Sequence, residues 1–363
     1  MVVGRQGLEP WTFGLKERHP ATSPNTCQHK KASLNRVFSL LLHFFLLSFI
    51  GGTWAVVSRQ CPASVPPNRS SEDRDATPTH RPTDQLRIAR EALAIERETA
   101  LEAGALGYMA QLLVQATLPH KDPGQGVSSF ERSNGNFHLL MMAPPRIGLP
   151  WGKVPRLLLC WLTTEAVRTR SPRLELGANL SAFMRELGLV PTGGRWGTIT
   201  RLRDQIRRLF SSTIRCSYDV PGRYEDTAFL LASRISLWWN PAAPDQTDLF
   251  GSFVELSPEF FRAVVERPVP VDLRVLRALR SPLALDLYSW LTYRVSYLRR
   301  PVEIPWSALA LQFGASYVKP RNFRYFFLKQ AAAVLKLYPA ARLKEGSHGL
   351  ILSPAPTHVK PTH

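Results

Sequence analysis

The densest chemistry in this 363-residue sequence lies between Arg195 and Arg215, where six arginines face one aspartate, Asp204. Guanidinium groups in such excess suit phosphate oxygens and guanine edges. At 100° per residue, Ile199, Leu202, Ile206 and Leu209 form one apolar stripe that must face a core. Opposite lie Gly197, Thr200, Arg201, Asp204 and Arg208, with Arg207 on the flank and Arg195 and Trp196 at the N-terminal end. A helix of this kind fits the major groove. Thr198 and Thr200, near its start, are expected to bind phosphate together with the exposed amides there. The bland alternative is a solvated basic surface helix. The absence of the Glu–Lys pairing that stabilises such helices favours nucleic acid.

A second basic set follows in Lys319, Arg321, Asn322, Arg324 and Lys329. Here Phe323, Phe326 and Phe327 lie opposite Tyr325 and Leu328, and a helix apolar on two sides is buried on two sides. Only its first turn is then expected to reach DNA, the rest packing against the other domain or a second subunit. Arg342, Lys344 and His348 would sit on a hairpin wing touching backbone or minor groove, with Gly346 and Gly349 at its turn.

Catalytic patterns are missing from the sequence. There is no Gly-x-x-x-x-Gly-Lys-Ser/Thr, no His-x-His or His-Glu-x-x-His pair, no Cys-x-x-Cys and no Gly-x-Ser-x-Gly. The scattered acids suggest no two-metal cluster. Cys160, beside Trp161, reads as a small core residue, and Trp238-Trp239 reads as packing at a strand end. The expectation is a binding protein and not an enzyme, with no catalytic residues, cofactor, metal or small-molecule substrate.

The elements that must position these residues occur twice. Helix 154–170, containing Trp161-Leu162-Thr163, corresponds to helix 281–297, containing Trp290-Leu291-Thr292. Leu174-Glu175-Leu176 corresponds to Val302-Glu303-Ile304. A short helix then ends at Leu187-Gly188 or Phe313-Gly314, where glycine suits a helix C-terminus. The long basic helices 196–210 and 321–337 follow. Strands close each copy, 213–218 with 229–238 in the first and 341–344 with 349–352 in the second. Helix, strand, helix, helix, strand, strand is the order of a winged helix. The expected fold class is α+β, with tandem winged-helix domains at 151–267 and 268–358. Phe253–Leu256 and a helix at 257–266 would join them, with prolines 258, 268 and 270 at the boundary.

Ahead of these lies a helical and linker segment, 83–150. Its main element is a helix candidate from Asp84, read as the N-cap, to Leu118. Leu86, Leu93 and Ala100 give a heptad hint, and Gly104 and Gly107 are expected to interrupt the helix. A loop at 119–126 and a short strand at 136–142 complete the segment.

The formal net charge is +18. Residues 1–80 contribute +4, residues 81–150 contribute zero and residues 151–363 contribute +14. The excess therefore belongs to the part with globular patterning, and it calls for a polyanionic partner. The N-terminal extension, 1–82, holds 21 residues from Val37 to Val57 without Asp, Glu, Lys or Arg, preceded by Lys30, Lys31 and Arg36. Two readings of segment 37–57 stay open. One is a membrane anchor, with Cys160 and Cys216 then free to pair outside the cell. The other is an extension outside the functional domain, such as a translation start assigned too far upstream. The second fits the cytoplasmic character of the remainder.

Several stretches resemble the bacterial plasmid-encoded RepA replication initiators. They are Ala143-Pro-Pro-Arg-Ile-Gly-Leu-Pro, the run from Pro155 to Thr169, and Leu189-Val-Pro-Thr-Gly-Gly-Arg-Trp-Gly-Thr-Ile-Thr-Arg-Leu. Arg267-Pro-Val-Pro-Val-Asp-Leu, the run from Ser281 to Arg294, and Ile304-Pro-Trp carry it further. The likeness runs in order from about residue 83 to 358 and leaves 1–80 outside. It implies a non-enzymatic protein that binds repeated sites in the double-stranded DNA of a plasmid origin and helps open adjacent AT-rich DNA. It further implies recruitment of the host replication helicase and initiator proteins, and monomer and homodimer forms with different roles. A transcriptional repressor on the same fold fits the same residues.

Overall fold

The computed structural model describes residues 82–247, 251–314 and 319–360. Segment 37–57 lies outside them. The described residues form one compact unit, of α+β class. Among them, no helix is long and apolar enough to cross a membrane.

The chain begins with α1 (Pro82–Arg97), β1 (Leu106–Ala110), α2 (Gln111–Gln115), β2 (Ser129–Asn134) and β3 (Phe137–Met142). The first repeat follows as α3 (Lys153–Thr169), β4 (Arg173–Glu175), α4 (Leu180–Glu186), α5 (Thr198–Phe210), β5 (Thr213–Val220) and β6 (Arg223–Leu230). Next come β7 (Ala232–Ser236), β8 (Phe253–Leu256), α6 (Pro258–Glu266), β9 (Pro268–Asp272) and α7 (Leu273–Ala278). The second repeat is α8 (Pro282–Tyr297), β10 (Val302–Pro305), α9 (Trp306–Phe313), α10 (Pro320–Leu335), β11 (Arg342–Glu345) and β12 (Gly349–Ser353).

Local chemistry sets several boundaries. Asn179, Ser257 and Asp272 cap α4, α6 and α7 by accepting the amides of Ala182, Phe260 and Arg274. Pro258 and Pro282 open α6 and α8, where a missing amide costs nothing.

The expected helix from Asp84 to Leu118 is corrected. It begins at Pro82, so Asp84 lies inside it, and it stops at Arg97. Leu106–Ala110 instead pairs antiparallel with β9, from Leu106 opposite Asp272 to Ala110 opposite Pro268. A Cβ on Gly107 would stand 2.4 Å from Leu273 Cδ2, so a side chain there would force Leu273 of α7 to shift. The heptad hint does not continue, because Ala100 is buried beyond the end of α1 while Leu86 and Leu93 are exposed. Strand β2, β9 and helix α7 were not foreseen from the sequence.

The two repeats keep one element order and build different sheets. In the second, the strands lie in the order β10-β12-β11, so the strand after the first helix closes on the hairpin. In the first, hairpin β5–β6 extends β2–β3 into a four-stranded sheet, while β4 pairs with β8 beside β7.

Two apolar clusters result. One gathers the second repeat with α1, β9 and α7, and the other gathers the first repeat with β3 and α6. Helix α3 serves both. Leu157 and Cys160 enter the first cluster, while Leu158, Leu159, Trp161 and Leu162 enter the second. Cys160 and Cys216 are both free thiols. Burial pushes the Cys160 thiol up to about 12.

A buried ion pair fastens the leading helices of the repeats to each other. Arg156 of α3 donates Nε to Asp286 Oδ1 at 2.6 Å and Nη2 to Asp286 Oδ2 at 2.7 Å. Its remaining donors go to the carbonyls of Leu118 (2.8 Å), Pro119 (3.2 Å) and Gly152 (2.7 Å). His120 adds a 2.8 Å contact to Asp286 Oδ2. Burial opposes ionisation of Asp286, but Arg156 and His120 outweigh it and hold the carboxyl below its ordinary pKa. The carboxylate can only accept, so His120 Nε2 is the donor. Burial pushes the His120 pKa down as well. Nearby Arg132 is buried, its Nε and Nη2 without hydrogen-bond partners, packed 4.4 Å over the Phe130 ring. Burial lowers its pKa to about 10.

Two outcomes are expected. Asp286→Ala strands a buried guanidinium and should cost about 3–5 kcal/mol in urea unfolding. Removing both partners as Arg156→Met with Asp286→Leu should cost less than that single change. The second outcome concerns pH. Folded His120 holds its proton less tightly than the unfolded chain does, as does His358. Stability should therefore fall as pH drops below about 6.5, by at most roughly 1.4 kcal/mol per pH unit for each histidine. His120→Gln should flatten this slope. Asp286, depressed when folded, loses its contribution only below about pH 4.

Candidate nucleic-acid interface

Helix α5 buries the expected stripe of Ile199, Leu202, Ile206 and Leu209. On its outer surface Arg201, Arg203 and Arg207 are exposed, with no ion-pair partner among the described residues. Arg203 was overlooked in the sequence reading. It lies one turn before Arg207 on the same flank, a spacing that could have revealed it.

Arg208 is not free. It is half-buried, donates Nε to Asp204 Oδ2 at 2.8 Å and reaches the Leu149 carbonyl at 3.3 Å. Its chain runs over Gly148, whose added Cβ would stand 2.7 Å from Nη1. Arg215 is likewise committed, donating Nε to Asp226 Oδ2 at 2.8 Å across the β5–β6 hairpin. Arg223 pairs with Glu225. The first hairpin therefore neutralises much of its own charge.

The turn before α5 is closed by a threonine clasp. Thr198 N donates to Thr192 Oγ1 and Thr192 N to Thr198 Oγ1, both at 2.9 Å. The Thr198 hydroxyl donates to the Val190 carbonyl at 2.5 Å, and Ile199 N to the Thr192 carbonyl at 3.2 Å. Thr200 Oγ1 donates to the Gly194 carbonyl at 2.9 Å. Both hydroxyl protons expected for phosphate thus hold the loop. Two of the amides at the helix start are satisfied by Thr192. Gly197 is required, since a Cβ there would lie 2.2 Å from the Thr192 carbonyl oxygen. On this mount Arg195 stacks 5.1 Å over Trp196, which is 81% exposed.

In the second repeat Lys319, Arg321 and Asn322 are exposed at the start of α10. Phe323 and Phe327 are buried and pack edge-on against Trp306, at 6.5 and 5.7 Å. On the opposite side Tyr325 is exposed, whereas Leu328 is half-buried against the same apolar cluster. Arg324 is tied to Glu345 at 2.5 Å and lies 5.5 Å over the Trp306 ring. Arg342 and Lys344 are exposed on the same side of edge strand β11. His348 is exposed in the turn, its amide donating to Glu303 Oε1 at 2.9 Å.

Trp239 packs 5.1 Å from Phe183, whereas Trp238 is exposed. Among the described residues no group of three or more His, Cys, Asp or Glu could hold a metal ion.

Thr192→Val removes the acceptor for Thr198 N without changing a charge. It should lower stability by about 0.5–2 kcal/mol, as loss of a helix cap does. Hydrogen exchange should quicken at 190–199 while the β11–β12 amides stay unchanged. Unaltered exchange in the turn would show that the clasp does not hold it.

Residues 149–306 match the family model described as plasmid encoded RepA protein. The match runs from the residue before Pro150 through α3 to the start of α9, and so bears out the family resemblance over that span. No curated protein matches the chain. Among solved structures, a crystal structure of selenomethionine derivatives of domains 2 and 3 of RctB is similar at 14% identity, with a TM-score of 0.46. It covers 67% of this chain and 95% of that one. A second crystal structure of RctB domains 2–3 gives 13% identity and a TM-score of 0.40, covering 66% and 94%.

Proposed function

We propose, from the match of residues 149–306 to the family model of plasmid-encoded RepA protein, that the chain is a replication initiator acting through duplex DNA. The two repeats act as winged helices that enter successive major grooves about one helical turn apart. Helix α5 does most of the reading through Arg201, Arg203 and Arg207, with Arg195 and Trp196 at its approach. The start of α10, with Lys319, Arg321 and Asn322, and strand β11, with Arg342 and Lys344, bind backbone. Bound copies, as monomers or homodimers, strain adjacent AT-rich DNA and bring in the host replication helicase and initiator proteins in the cytoplasm. The reading is carried by one observation. Three exposed guanidiniums on α5 have no carboxylate partner among the described residues, and the helix is firmly seated by its opposite face. Thr198, Arg208 and Arg324 support these contacts by positioning neighbours.

The test uses the DNA flanking the gene. The protein should retain one region of it, with affinity falling about 10³–10⁵-fold between ~50 and ~200 mM salt. Arg201→Ala should cost about 1–3 kcal/mol on that region and less on unrelated duplex. Lys319→Ala should weaken both alike and reduce the salt slope by about 1. Arg208→Ala should lower the melting temperature and leave discrimination intact. Equal, small losses on both duplexes for Arg201→Ala would remove the base-reading role. A plasmid bearing the retained region should replicate only in cells supplied with the protein. Repression of a promoter there without replication would make the chain a repressor on the same fold.

A further inference from the structure

Trp196 is the most exposed large apolar side chain among the described residues, and its mount is stiff. The chain enters it through Gly194, in the left-handed region at φ +84°, and leaves through Gly197, which has no room for a Cβ. The Gly194 carbonyl accepts from both Gly197 N (3.1 Å) and Thr200 Oγ1 (2.9 Å). Behind it the Thr192–Thr198 clasp ties the loop to the first turn of α5. The backbone that carries the indole is held this way and has little freedom left to lose on binding.

The surrounding charge selects the partner. Arg201, Arg203 and Arg207 are exposed, with no carboxylate partner among the described residues. The one acid of α5, Asp204, is taken by Arg208. Tryptophan and arginine together also mark protein interfaces, but a run of unopposed cations around the ring favours a polyanion, and nucleic-acid surfaces interleave aromatic rings with cations. The cation next to the ring, Arg195, already lies over it at 5.1 Å, placed to follow the indole to a phosphate.

We propose that Trp196 is a wedge that stacks on a base at an opened step of the DNA held by α5. Through it the protein senses how easily that step unstacks. Apolar side chains inserted between base steps kink DNA, and flexible pyrimidine–purine steps yield most readily. This rests on the nucleic-acid reading above and adds to it a contact with base faces, which groove hydrogen bonds do not make.

The test uses the full chain and two labelled duplexes of mixed sequence, identical except for one central unpaired 2-aminopurine. An unpaired base is already partly unstacked, so the parent protein should prefer the bulged duplex by about 10-fold and change the 2-aminopurine emission on binding. Trp196→Phe should keep most of the preference. Trp196→Ala should melt at the parent's temperature, bind the two duplexes equally and leave the emission unchanged. Arg201→Ala should weaken both duplexes by a similar factor while the preference survives. A preference retained in Trp196→Ala, or absent from the parent, overturns the wedge. Parent-like affinity of Trp196→Ala for both duplexes does so too, and assigns the indole to a protein contact. Failure of the parent to bind either duplex overturns the nucleic-acid reading itself, and the wedge with it.

Discussion

The bond between Arg156 and Asp286 is the constraint on which the rest of the arrangement depends. Burying either charge alone costs several kcal/mol, so the two groups must meet and be fully satisfied. All five guanidinium donors are used, two on Asp286 and three on carbonyls of the 118–119 turn and the start of α3. The two partners occupy similar places in the repeats, five residues before Trp161 and four before Trp290. A contact of this kind admits one geometry, whereas apolar surfaces alone tolerate sliding. The leading helices of both repeats are thereby set against each other, and α5 and α10 follow from them through packing.

Around that joint the repeats have diverged in how they spend their strands. The second repeat closes its own three-stranded sheet and leaves Arg342 and Lys344 exposed on the edge. The first extends its hairpin onto β2–β3 and locks Arg215 and Arg223 into ion pairs along it. The basic surface of the first repeat is therefore concentrated on the helix, and that of the second is shared between a helix start and a strand edge. The turn before α5 is further tied by side-chain bonds from three threonines.

Much of this was legible in the residues. The stripe of Ile199, Leu202, Ile206 and Leu209 repeats at helical spacing and is buried as that spacing requires. The paired Trp-Leu-Thr runs sit in the two leading helices, and the strands at 302–305, 342–345 and 349–353 lie where alternation and turn glycines place them. The helical reading of 84–118, with breaks expected at Gly104 and Gly107, holds as far as Arg97 and gives way to a strand at 106–110. Alanine and leucine favour helix there, but Leu106–Ala110 finds its hydrogen bonds on β9, some 160 residues away. Propensity gives way when a remote strand can satisfy the backbone.

Charge shows the division most clearly. The sequence by itself determined that α5 is basic, which face it buries, and that no acid neighbour in its own turns could neutralise it beyond Asp204. Which cations remain available was decided only by the tertiary structure. Arg208 is drawn to the carbonyl of Leu149, Arg324 to Glu345 and Arg215 to Asp226, through partners 59, 21 and 11 residues distant. Helical periodicity is a property of neighbouring residues and can be read along the chain. The pairing of a charge depends on what the fold brings within about 4 Å of it, and no local pattern encodes that.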